Sequence, residues 1–112
     1  MTAHSELRNQ IILATAEVAR LFNNEQGVAR YNKGGRKWAV TYGVGAGGGD
    51  LLGWRLSDGR FVSIEVKVGR DERSTEQERW DRWVKTGHGL SGVARSIEDA
   101  LDIIAGGPGA PK

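Results

Sequence analysis

The chain has 112 residues and a net charge of +2, with 38% apolar and 27% charged residues, which suits one folded domain and excludes a disordered polyelectrolyte. It has no cysteine, so a structural disulfide and a thiolate zinc site are both excluded, and a reducing compartment fits. No apolar run is long enough to cross a bilayer, and Met1 to Gln10 has no apolar stretch behind a basic one, so neither a membrane partner nor a secretory route is expected.

Leu7, Ile11, Ala14, Val18 and Leu21 recur at three- and four-residue steps, which predicts an amphipathic helix from Ser5 to Phe22 with Ser5 as its N-cap. The next stretch, Arg30 to Lys37, is basic and polar around Gly34-Gly35 and reads as a loop or hairpin tip. Trp38 to Tyr42 reads as a strand. A glycine tract from Gly43 to Gly49 precedes a second strand, Asp50 to Leu56, and Ser57-Asp58-Gly59 is a hairpin turn.

Phe61 to Val68 is the clearest strand. Val62, Ile64, Val66 and Val68 must face a core, which leaves Phe61, Ser63, Glu65 and Lys67 on the other face. A second helix runs from Ser74 to Lys85, with Ser74 and Gln77 at capping-box spacing and Trp80 and Val84 inward. Gly92 to Arg95 is a short strand. Ser96 caps a last helix through Ile104, with Ile97, Ala100, Leu101 and Ile104 inward. A single domain over residues 1–105 is therefore expected, followed by a flexible Gly/Pro tail over 106–112. The order of elements predicts an α/β fold with a small mixed central β-sheet flanked by helices.

Gly43-Val44-Gly45-Ala46-Gly47-Gly48 has the glycine spacing of a dinucleotide site. That site needs a helix to begin inside the motif, because the helix N-terminus holds the pyrophosphate. A strand follows here, so no nucleotide cofactor is expected. The glycines instead allow close backbone approach or a sharp bend before Asp50.

Glu65 and Lys67 lie two apart on a strand and share a face, and hairpin pairing can set Asp50 beside Glu65. Two carboxylates with a backbone carbonyl between them are hard oxygen donors suited to Mg²⁺ or Mn²⁺. An ammonium beside them can hold a water or offset charge developing on a phosphate. A bare Glu-x-Lys pair also occurs on ordinary solvated strands, and an aspartate is common in turns. The full spacing is more specific.

Gly49-Asp50, a short hairpin, Ile64-Glu65-Val66-Lys67 and then Ser74-Thr75-Glu76-Gln77 resemble the PD-(D/E)XK nuclease superfamily, most closely its VRR-NUC family in the stand-alone, phage-type form. The resemblance spans Glu6 to Ile104 and implies a restriction-endonuclease-like core. It makes Asp50 and Glu65 the metal-binding acids, Lys67 the catalytic lysine and the Val66 carbonyl a further ligand. It also makes Gln77 a supporting catalytic residue and Glu6 an acid that reaches the metal directly or through water. The proline often found before the first aspartate is Gly49 here.

The implied activity is Mg²⁺- or Mn²⁺-dependent hydrolysis of DNA phosphodiester bonds that leaves 5′-phosphate ends, in a bacterial or phage-infected cytoplasm. Arg30, Lys33, Arg36 and Lys37 would grip the DNA backbone with little sequence preference. The small size and the four tryptophans suggest a homodimer, and paired sites suit a four-way junction, as in Holliday-junction resolvases. The competing readings are a nuclease for DNA ends or flaps, a non-catalytic DNA-binding module with the same fold, and an unrelated interaction protein.

Overall fold

The computed structural model describes residues 2–45 and 47–111; Met1, Ala46 of the glycine tract and Lys112 of the tail lie outside the described residues. In chain order the elements are α1 (Ala3–Ala14), β1 (Ala19–Asn23), β2 (Gly27–Lys33), β3 (Arg36–Tyr42), β4 (Leu51–Arg55), β5 (Phe61–Val66), α2 (Thr75–Thr86), β6 (Leu90–Ala94) and α3 (Ile97–Ile104). The expected α/β fold with a mixed sheet is present. Four strands form the main sheet in the order β1-β4-β5-β6, and β2 and β3 form a separate two-stranded sheet. The β1–β4 and β4–β5 pairs are antiparallel, and β5–β6 is parallel.

The first helix is shorter than its periodicity predicts. Thr2 is the N-cap and forms a capping box with Ser5, and Thr15 is the C-cap, its Oγ1 donating to the Ile11 carbonyl at 2.7 Å. Val18 and Leu21 continue the helical spacing, but Ala19 and Leu21 also alternate inward as a strand. Pairing of Leu21 with Gly53 of β4 favours the strand. Tertiary packing overrides the local pattern.

The segment Arg30 to Lys37 belongs to a long hairpin. Gly34 and Gly35 form its two-residue turn with φ of +60° and +83°, the left-handed backbone that such a turn requires at both central positions. In α3, Ile103 is buried where Leu101 was expected, and Leu101 is 39% exposed. The tail is a further correction. The Ala110 N–H donates to the Val93 carbonyl at 2.8 Å, and Ala110 is buried against β6.

The core lies on one face of the sheet, where Ile11 of α1 and Ala100, Ile103 and Ile104 of α3 meet Leu21, Leu51, Val62, Ile64 and Val66. Burial of each Val, Leu or Ile side chain among these stabilises the fold by about 1.5–3 kcal/mol. The other face is also covered where α2 lies over β5 and β6. As a result Ser63 and Glu65, expected on a solvated face, are each 1% exposed.

Candidate active site and nucleic-acid interface

Asp50 stands immediately before β4, whose first residue, Leu51, pairs with Ile64 of β5. One further step along that register sets Asp50 across from Glu65. The Asp50 carboxylate turns onto the neighbouring strand, where Oδ2 accepts from the Val66 N–H at 2.7 Å. Two glycine positions make this approach possible. A side chain at Gly49 would meet Ser63 Oγ at 2.3 Å, and one at Gly47 would meet the Glu76 carbonyl of α2 at 2.2 Å. The Asn24 side-chain amide donates to the Gly49 carbonyl at 2.9 Å and holds the segment in place.

His4 Nε2 of α1 lies 3.5 Å from Asp50 Oδ2. Residues two apart on a helix point to different sides, so with His4 turned toward Asp50, Glu6 is directed away and remains exposed. The first helix therefore brings an imidazole to Asp50, where an acid was expected. His4 had no sequence signal beyond its place in the first turn.

Glu65 is committed to a partner that the sequence pattern did not reveal. Arg73 Nη2 donates to Glu65 Oε1 at 2.8 Å, with Nε of the same group at 3.4 Å from Oε2. Arg73 Nη2 also lies 3.3 Å from Asp81 Oδ1, and Lys85 Nζ lies 2.9 Å from Asp81 Oδ2. The Glu65 and Arg73 side chains are 2% and 6% exposed. Burial holds the Glu65 carboxyl above the ordinary glutamate value, with Arg73 and then Lys67 pulling against it and Asp81 adding to it. Burial also opposes charge on Arg73 and Asp81. Glu65 and Asp81 overcome this at Arg73, which is raised, and Lys85, Ser91 and Arg73 overcome it at Asp81, which is lowered.

Lys67 follows β5, is partly exposed, and is close enough for its charge to act on Glu65. Gln77 serves the helix cap: its Oε1 accepts from the Ser74 N–H at 2.8 Å while its own N–H donates to Ser74 Oγ at 3.1 Å. That amide oxygen is engaged in capping α2, so a catalytic duty for Gln77 would have to use its NH₂ end.

The donor set fits a hard divalent cation incompletely. Asp50 is about a third exposed, and its carboxylate has a second oxygen to offer. Both Glu65 oxygens face Arg73. Among the described residues, no three His, Asp or Glu side chains converge to hold a metal ion. A cation bridging Asp50 and Glu65 therefore requires Arg73 to release Glu65.

Arg30, Lys33, Arg36 and Lys37 lie on the β2–β3 hairpin, which is a sheet of its own and separate from the one that carries Glu65. Every residue of β3 is exposed. No protein-family model matches the chain, and a search of curated proteins finds no significant match.

Proposed function

We propose that the chain is a stand-alone, phage-type VRR-NUC protein with a restriction-endonuclease-like core: a Mg²⁺- or Mn²⁺-dependent DNA endonuclease acting on branched DNA in the cytoplasm. The observation that carries this reading is the Asp50 carboxylate on the Val66 N–H, 2.7 Å away, which gathers Asp50, Glu65, Val66 and Lys67 at the end of two adjacent strands. A cation held by Asp50 and Glu65, with the Val66 carbonyl as a further donor, would supply Lewis acidity and an acidified water. Lys67 offsets negative charge gathering on the scissile phosphate. Arg30, Lys33, Arg36 and Lys37 hold the DNA backbone and set its register without reading bases.

A homodimer completes the proposal. The half of the sheet face beyond α2 exposes Phe22, Trp54 and Phe61 at 56%, 44% and 41%. The Phe22 and Trp54 rings pack at 5.7 Å, and Trp54 pairs with Phe61. An apolar patch of this kind can meet its own copy across a two-fold axis and fix the distance between two active sites.

One observation favours a second reading, a non-catalytic DNA-binding module: the Glu65 carboxylate is already neutralised by Arg73. Incubation with Mn²⁺ or Mg²⁺ and a panel of four-way, flapped and linear DNAs, with EDTA controls, separates the two. The nuclease reading expects EDTA-sensitive scission, fastest on the four-way junction. Binding without scission would establish the module.

A further inference from the structure

The β2–β3 hairpin projects as an arm. The radius of gyration is 15.3 Å and the long axis 51 Å, whereas a compact chain of this length has a radius near 13 Å. Among the described residues, β2 and β3 pack chiefly on each other. A lone two-stranded hairpin is marginal in water, so its surface chemistry bears on what it meets.

The register sorts that surface into two faces. Ala29 pairs with Val40, Tyr31 with Trp38 and Lys33 with Arg36, and because these pairs alternate along the ladder they share one face. That face is an apolar and aromatic stripe that ends at the turn in two cations. The Tyr31 and Trp38 rings are stacked, with centroids 5.3 Å apart and planes 16° from parallel, yet they remain 48% and 43% exposed. An open-sided hollow of about 490 Å³ lies among Lys33, Arg36 and Trp38. The span from Gly27 to Tyr42 holds four cations and no Asp or Glu.

This charge distribution argues for a particular occupant. A second copy of the same arm would bring two sets of four like charges together with no acid to offset them. A polyanion with flat apolar groups matches both features. We infer that the arm binds an unpaired nucleotide of DNA, its base stacked on the Trp38 indole and its phosphates held by Lys33 and Arg36. Base–aromatic stacking is sequence-tolerant and supplies much of the affinity for single strands. In a duplex the bases are already stacked on one another, so the aromatic ledge discriminates in favour of unpaired DNA. The inference rests on the DNA reading above and adds to it a contact with bases that are unpaired, as at a flap or where a branch point opens.

The test is fluorescence anisotropy in EDTA, where scission does not intervene, with fluorescein-labelled oligo-dT and a blunt duplex of equal length. Trp38→Ala should weaken oligo-dT binding by roughly tenfold or more and change duplex binding less than twofold. Trp38→Phe, which keeps a ring at an exposed site, should retain most of the oligo-dT affinity and controls for damage to the hairpin. Lys33→Ala with Arg36→Ala should lower the salt slope of oligo-dT binding by roughly one to two. Unchanged oligo-dT affinity in Trp38→Ala, or an equal loss on both DNAs, overturns the inference. So does a concentration-dependent mass that Trp38→Ala abolishes, since the face would then belong to a second copy. The preference for oligo-dT is read without turnover, so it stands or falls separately from nuclease activity.

Discussion

Arg73 sets the charge environment of Glu65 at the candidate active site. Its guanidinium spans Glu65 and Asp81 in a space nearly closed to solvent. Removing one partner of such a buried pair leaves an uncompensated charge and costs about 3–5 kcal/mol. Arg73→Gln should therefore lower the midpoint of thermal unfolding clearly. If Asp50 and Glu65 share a divalent cation, Mn²⁺ should restore more stability to Arg73→Gln than to the wild type, because the cation takes over the lost countercharge. Differential scanning fluorimetry with and without Mn²⁺ reads both effects. An equal Mn²⁺ response in the two proteins would mean that Glu65 is not a ligand.

The same residues set a pH dependence with opposing signs. Glu65 is raised by burial, so it favours the fold below its unfolded value and loses that contribution as pH rises through its folded value. Asp81 is lowered overall, so its contribution is present above its unfolded value and is lost as pH falls through its folded value. Urea unfolding across pH should therefore show Glu65→Gln gaining relative stability as pH rises above the ordinary carboxyl range. Asp81→Asn should lose the drop on the acid side. Parallel pH profiles for both variants and the wild type would contradict this assignment. At residue scale the sequence exposed Asp50, Glu65 and Lys67 by type and spacing. It hid Arg73 and His4, because one pairs across eight residues and the other across the fold.

Among the elements, α2 and the hairpin carry the clearest tests. Ser74 caps α2 through Gln77, so Ser74→Ala should cost about 1 kcal/mol in chemical unfolding. Gln77→Glu keeps the acceptor and should cost little. The glycine turn makes a sharper prediction. Gly34 and Gly35 both hold positive φ, and an alanine at either pays roughly 1–2 kcal/mol for the left-handed backbone. Because the arm is separate from the core, Gly34→Ala should disturb amide protection in β2 and β3 and leave β4 to β6 unchanged. Loss of protection across the whole chain would show that the arm is part of the cooperative core.

The strands were legible wherever composition and period agreed. β5 announces itself by Val62, Ile64 and Val66, all buried, and α2 by its cap. β1 was hidden because Val18 and Leu21 fit a helical repeat as well as a strand, and only pairing with β4 separates the two. Of the two hairpin arms, most of β3 was legible as the strand Trp38 to Tyr42, while β2 was hidden because none of its residues is buried. A strand with no buried face has no hydrophobic alternation to read.

At the scale of the whole molecule, the mixed sheet with three helices leaves two surfaces with different chemistries: the basic arm and the apolar patch of Phe22, Trp54 and Phe61. The patch, not the arm, is the expected dimer contact. Trp83 is 62% exposed but lies beneath the Arg79 guanidinium, 5.3 Å from its ring, and Trp80 donates to Ser63 Oγ at 2.7 Å. Those two tryptophans already have partners, so they argue less for self-association than their number suggested. Light scattering should give a dimer mass for the wild type and a monomer mass for Trp54→Glu. A monomeric wild type would remove the paired-site geometry and leave a single candidate site for the proposed nuclease.

The most direct measurement is single-turnover cleavage of a labelled four-way junction in Mn²⁺ by the wild type and by Lys67→Ala. Lys67 is partly exposed and lies outside the buried core cluster. Its removal should therefore spare folding and DNA affinity while lowering the cleavage rate by at least about a hundredfold. Cleavage by the wild type that EDTA abolishes, with this loss in the variant, is the expected result. No cleavage by the wild type, or an equal rate from Lys67→Ala, would contradict a phosphodiester hydrolase centred on Asp50, Glu65 and Lys67.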